Sequence, residues 1–185
     1  RNIDVYIVPS ADNHQSEYVG DYFKCRKYIT GFTGSAGTAF ITKENAGLFT
    51  DGRYFVQAAK QLKGSGVELF KMREPGVPTL EEHLYNIVPE NGVLGFDGRV
   101  VSMNLGKELE SLLSKKGATL KTDCDLIDMV WEDRPSLSKE PAFYLEEKYT
   151  GESIVSKLSR VREAMKAKDA DYHVIAALDD INWII

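Results

Sequence analysis

Residues 29–61 read ITGFTGSAGTAFITKENAGLFTDGRYFVQAAKQ. Three glycines, Gly31, Gly34 and Gly37, precede the β-rich run Thr38–Thr42. The polar turn Lys43-Glu44-Asn45 separates it from a second run, Gly47–Thr50. Two short apolar runs around a polar turn predict a hairpin. Asp51 then stands where it can cap a helix whose apolar positions, Phe55, Ala58, Ala59 and Leu62, keep helical spacing. The glycines do not form a phosphate cradle. A Walker loop needs a Lys after its last Gly, and a dinucleotide fingerprint needs G-x-G-x-x-G between a strand and a helix. Here the glycines lead into a strand, so they read as turn residues that allow close backbone approach.

Working outward, Ile3–Val8 is a strand ended by Pro9-Ser10, and Tyr18–Tyr28 is partly helical. Val67–Met72, Val93–Phe96 and Ala118–Lys121 are further strands. Thr79-Leu80-Glu81-Glu82 carries a capping box, and Leu105, Leu109, Leu112 and Leu113 make a second helical stripe. Strands alternating with helices predict an α/β fold, a three-layer α/β/α sandwich on a mixed five- or six-stranded sheet. With a crossover through Asp51–Leu62 returning the fourth strand beside the first, the expected order is 3-2-1-4-5, with strand 2 antiparallel.

The 185 residues suffice for one full domain and a remainder. Hydrophobic residues make up 43% and charged residues 28%, a globular composition. A net charge of −5 argues against nucleic acid or membrane as the main partner. Cys25 and Cys124 lack C-x-x-C spacing and read as free thiols, which favours the cytoplasm.

Arg134–Pro141 reads as a linker, so domain boundaries are expected at 1–142 and 143–185. Ser153–Lys168 is an amphipathic helix leading into DADYHVIAALDDINWII. That stretch echoes NIDVYIVPSADNHQSEYV at the start: Asp171 matches Asp4, the run His173–Ala177 matches Tyr6–Ser10, and Asp179 matches Asp12. The repeat predicts the first strand of a second, truncated domain of the same kind. The final apolar Trp183-Ile184-Ile185 reads as the cut end of a longer protein, and Asn182–Ile185 are expected to pack on another chain or on the first domain, or to be poorly ordered.

The polar cluster Asp12–Tyr18 follows the first strand, where open α/β sheets place ligands. Asp12, His14 and Glu17 could hold a metal, but the chain has only three histidines and no second ligand cluster, so helix capping and loop tethering are the commoner roles. Ser35 lacks the G-x-S-x-G setting of a hydrolase nucleophile. Arg53, at a strand–helix turn, is either an ion-paired surface residue or an Arg offered to an anionic ligand. His14 and Arg53 are the candidate substrate-binding residues. No catalytic and no metal-binding residue is assigned. Trp131 and Trp183 read as packing anchors.

Taken in order, DVYIVPSADNHQSEYVG, ITGFTGSAGTAFIT, LFTDGRYFVQAAKQL, WEDRP, YTGESIVSKLSRVREAM and ALDDINWI resemble the amino-terminal part of the Xaa-Pro aminopeptidases (aminopeptidase P), in their long three-domain form. The resemblance implies a creatinase/prolidase-type amino-terminal domain with a ribonuclease H-like motif, followed by a second of the same fold. It implies a third, catalytic "pita-bread" domain that holds two divalent metal ions, usually manganese, and cleaves peptides with proline second. No segment here matches that domain. The chain is therefore expected to be a non-catalytic portion of a cytoplasmic metallopeptidase. Its expected partners are the catalytic domain, the peptide and a second subunit of a homodimer. A protein-binding module of a catalytically dead relative and a stand-alone α/β ligand-binding domain are the alternatives.

Overall fold

The computed structural model describes residues 2–185. A first compact unit ends at Leu137, and a second spans Ser138–Ile185.

The first unit is built on six strands: β1 (Val5–Pro9), β2 (Thr38–Ile41), β3 (Ala46–Thr50), β4 (Val67–Lys71), β5 (Val93–Gly95) and β6 (Thr119–Lys121). Their order in the sheet is β4-β3-β2-β1-β5-β6. The hairpin is as expected: β2 runs antiparallel to both β1 and β3, and all other pairings are parallel. The position of the fourth strand is corrected. β4 lies beside β3 at the sheet edge, and β5 takes the free side of β1. A crossover through residues 51–66 is short, and a short parallel crossover joins neighbours more readily than it spans two strands. Burial agrees with this placement. β4 has only half-buried and exposed residues, as an edge strand should, whereas Val5–Val8 of β1 are all buried.

Side chains alternate across the sheet. Val5, Ile7, Phe40, Phe49 and Leu94 enter one core with α3 (Leu80–Ile87) and α4 (Met103–Ser114), through Leu84, Leu109 and Leu113. Ala39 and Leu48 face the other way, toward Phe32 and the helix α2 (Phe55–Gln61), while Tyr6 and Val8 pack near Cys25 and Ile29 of α1 (Cys25–Thr30). The helices thus form a layer on each face. Thr79 starts α3 with the predicted capping box: its hydroxyl accepts the Glu82 N–H at 3.1 Å while its own N–H donates to Glu82 Oε2 at 2.9 Å. Asp51 does not cap α2, contrary to expectation. The N-cap position falls on Tyr54, and the Asp51 carboxylate is used one turn earlier by the Arg53 N–H.

In the second unit, α5 (Glu147–Thr150), α6 (Ile154–Ala167) and α7 (Leu178–Ile184) are present. The strand expected at His173–Ala177 does not form; those residues lie outside any helix or strand. A strand needs a ladder partner, and no strand forms among the described residues of this unit. Within this unit Lys157 Nζ donates to Trp183 O at 2.6 Å, and Lys157 and Arg160 lie over the Trp183 ring.

Candidate functional site

Because only β2 is reversed, one edge of the sheet collects the carboxyl ends of five strands and the amino end of β2. The loop after β1, the glycine-rich loop before β2, the Asp51–Tyr54 turn after β3 and the segment after β5 all emerge there. In open α/β sheets this is the edge where ligands bind.

The loop after β1 is held from within by Asp12. This buried carboxylate accepts the N–H groups of His14 at 2.8 Å and Ser16 at 3.0 Å. Burial pushes its pKa up, but those amides outweigh it and hold the carboxyl below the usual range. Gln15, in the left-handed region at φ 59°, donates to Val100 O at 3.1 Å and ties the loop to the segment after β5. His14 itself is exposed at the loop's tip.

Arg53 is the second sequence-predicted residue. Its guanidinium makes a two-pronged pair with Asp51, Nε to Oδ1 at 3.0 Å and Nη2 to Oδ2 at 2.9 Å, while Nη1 lies 3.7 Å from Glu17 Oε1. It is thus brought against the loop that carries His14. The ion-paired surface reading of Arg53 is the one seen, and 59% of its side chain stays exposed. Asp12 and Glu17 serve different partners. Among the described residues no three His, Cys, Asp or Glu side chains come together as metal ligands.

The glycine-rich loop owes its shape to a residue that the sequence reading did not single out. Arg26, on the inward face of α1, is 5% exposed. Its Nε donates to Ser10 Oγ at 2.8 Å, Nη1 to Phe32 O at 2.6 Å, and Nη2 to Gly34 O. Desolvation pulls its pKa down to about 10, so it remains charged at neutral pH. Gly31 ends α1 in the left-handed conformation at φ 72°, which a glycine adopts without strain. At Gly34 a Cβ would overlap the Phe32 ring and lie 2.7 Å from Tyr54 Cδ1. Ser35 Oγ then meets Tyr54 OH at 2.8 Å. The available signal for Arg26 was a cation at a core-facing helical position directly ahead of a loop rich in carbonyl acceptors.

A second network also escaped the sequence reading. Arg134 is buried against the Tyr22 ring at 3.8 Å, with Nη1 at 2.6 Å from Asp125 and 3.1 Å from Asp128. Arg99 joins Asp97 to Asp125. Trp131 stacks on Tyr28 at 4.4 Å, the packing role expected of it. This cluster fastens the segment after β6 to the sheet.

The chain belongs to the creatinase/prolidase N-terminal domain family. One family model of that description matches residues 1–130, and a second of the same description matches residues 133–185. Among curated relatives, aminopeptidase P2 of Arabidopsis thaliana is 40% identical over 99% of this chain but 26% of its own length. Xaa-Pro aminopeptidase 1 of Dictyostelium discoideum is 40% identical over 100% of this chain and 31% of its own. Among solved structures, the X-prolyl aminopeptidase of Caenorhabditis elegans, described as a cytosolic enzyme with a di-nuclear active site, superposes with a TM-score of 0.86. It is 34% identical and covers 98% of this chain and 30% of that one. The chain therefore spans less than a third of the length of each of these three relatives.

Proposed function

We propose that this chain is the non-catalytic amino-terminal portion of a metal-dependent Xaa-Pro aminopeptidase, and that the loops at its ligand edge shape access to the peptide-binding cleft of the catalytic domain. The observation that carries this reading is the full-length match to such enzymes over less than a third of their own length. An exopeptidase needs walls that exclude internal segments and orient a free terminus. The rigid, multiply tethered loops around Asp12, Arg26 and Asp51 are suited to that task. His14 and Arg53 are the side chains proposed to meet the peptide. In this reading the two divalent ions, manganese, belong to the catalytic domain. Residues 143–185 would open a second domain of the same type, which supplies strand partners for residues 173–177. The parent enzyme is proposed to work in the cytoplasm, consistent with the free thiols Cys25 and Cys124, and to form a homodimer.

The test compares the parent enzyme with its His14→Ala/Arg53→Ala double variant on a dipeptide and on a longer Xaa-Pro peptide. The access reading expects kcat/KM on the longer peptide to fall about tenfold, with the dipeptide less affected. Equal kinetics on both substrates would count against it.

A further inference from the structure

A cleft of about 260 Å³ opens beside the glycine-rich loop, lined by Ser10, Glu17, Arg26, Lys27, Gly34 and Ser35 among others. Its charges do not balance. Glu17 faces Arg53 at 3.7 Å, Arg53 is itself paired with Asp51, and the neighbouring Lys24 is paired with Asp21, so with Arg26 and Lys27 four cations meet three acids. Arg26 is buried, and among the described residues it forms no salt bridge; its guanidinium donates to one hydroxyl and two carbonyls, all neutral. Buried cations are ordinarily paired with an acid, because dipoles compensate the lost hydration only in part. Three of the five guanidinium N–H groups are engaged, and each terminal nitrogen retains a second hydrogen. The exposed Lys27 adds another positive charge at the mouth, and Ser35 adds a hydroxyl.

We propose that this cleft is a subsite for a peptide carboxylate, with Arg26 at its floor and Lys27 at its mouth providing the countercharge. That the ligand is a peptide rests on the function proposed above; that it is an anion rests on the unbalanced cations. A planar carboxylate suits the fork of a guanidinium, and a hydroxyl at the rim supplies a further donor.

The test is an NMR titration of the ¹⁵N-labelled chain with Ala-Pro-Ala, with its carboxy-terminal amide, and with Ala-Pro-Glu amide. The proposal expects saturable shifts at Gly34 and Ser35 with the free acid, and an affinity for the amide at least tenfold weaker. Recovery with Ala-Pro-Glu amide assigns the site to any peptide carboxylate, and no recovery assigns it to the terminal one; both outcomes support the subsite. Lys27→Gln, an exposed substitution that should leave the fold intact, is expected to weaken the acid severalfold and leave the amide unchanged. Equal affinity for acid and amide, no shifts at the cleft, or a Lys27→Gln variant that binds the acid as wild type would overturn the proposal. The two readings fail separately. Equal binding of acid and amide removes the carboxylate subsite but leaves access control standing. Acid-selective binding, together with unchanged peptide kinetics in the parent enzyme, removes access control but leaves the subsite.

Discussion

Arg53 and Asp51 form a two-pronged ion pair across a single intervening residue, with nitrogen–oxygen distances of 3.0 and 2.9 Å. Proximity in sequence means that little chain entropy opposes the pair, and its exposure means that water competes with it. Arg53→Ala is therefore expected to leave the melting temperature almost unchanged. A loss of kcat/KM in the parent enzyme would then report on substrate contact and not on folding. A clear drop in melting temperature with unaltered kinetics would remove Arg53 from the proposed rim.

His83 predicts a pH dependence. Its ring sits among Phe40, Phe49 and Phe70, with centroids 4.5, 5.5 and 4.7 Å away, and its buried Nε2 has no hydrogen-bond partner. Desolvation lowers its pKa below the ordinary 6.5, with Glu68 pulling weakly the other way. The unfolded chain therefore takes up a proton at a higher pH than the folded one. Stability should be full above about pH 6.5 and fall as the pH drops from there toward the folded pKa. Urea unfolding between pH 8 and 5 checks this. His83→Leu should flatten the slope in that window, and an unchanged slope would refute the assignment.

Arg134→Ala should cost about 2 kcal/mol, less than the ~3–5 kcal/mol of breaking a fully buried pair, because Arg99 still neutralises Asp125. Burial raises the Asp125 pKa, but hydrogen bonds from Arg134 and the Asp128 N–H and the charges of Arg134 and Arg99 hold it below 3.8. That stabilisation is present above pH 3.8 and disappears as the pH falls through the lowered value. In acid titrations followed by circular dichroism, the variant should unfold at higher pH than the wild type. Coincident curves would show that the cluster contributes little.

Gly34→Ala and Gly106→Ala should have opposite signs. A methyl at Gly34 collides with the Phe32 and Tyr54 rings, and such overpacking costs roughly 1–3 kcal/mol. At Gly106, inside α4, a Cβ meets nothing within 4 Å, and Ala should gain about 0.5–1 kcal/mol of helix propensity. Thermal melts of the two variants decide it. Stabilisation by Gly34→Ala would mean that the loop does not hold the packing described.

The hairpin around Lys43–Asn45, the Thr79 capping box and the stripe from Leu105 to Leu113 were legible in the sequence because each is a local pattern with a local cause. The place of β4 was not. Nothing between Asp51 and Gly66 states how far a crossover travels, and only the packing of Phe49 against Phe70 settles it. The His173–Ala177 run shows the converse. Its composition suits a strand, but a strand is a relationship between segments, and none is assigned among the described residues of its unit. At the candidate site, polarity pointed to His14 and Arg53. Arg26 was hidden because two of its three partners are backbone carbonyls, which leave no trace in side-chain composition.

The function proposed above has this chain serve a peptidase whose chemistry lies in another domain. Hydrolysis in such an enzyme requires a metal-activated water, and among the described residues no ligand cluster could hold the metal. The direct measurement is incubation of the purified 185-residue chain with manganese and an Ala-Pro peptide, following release of the amino-terminal residue. The account predicts no release above a buffer blank, while the parent enzyme cleaves the same peptide. Turnover by the isolated chain that survives repurification would contradict it.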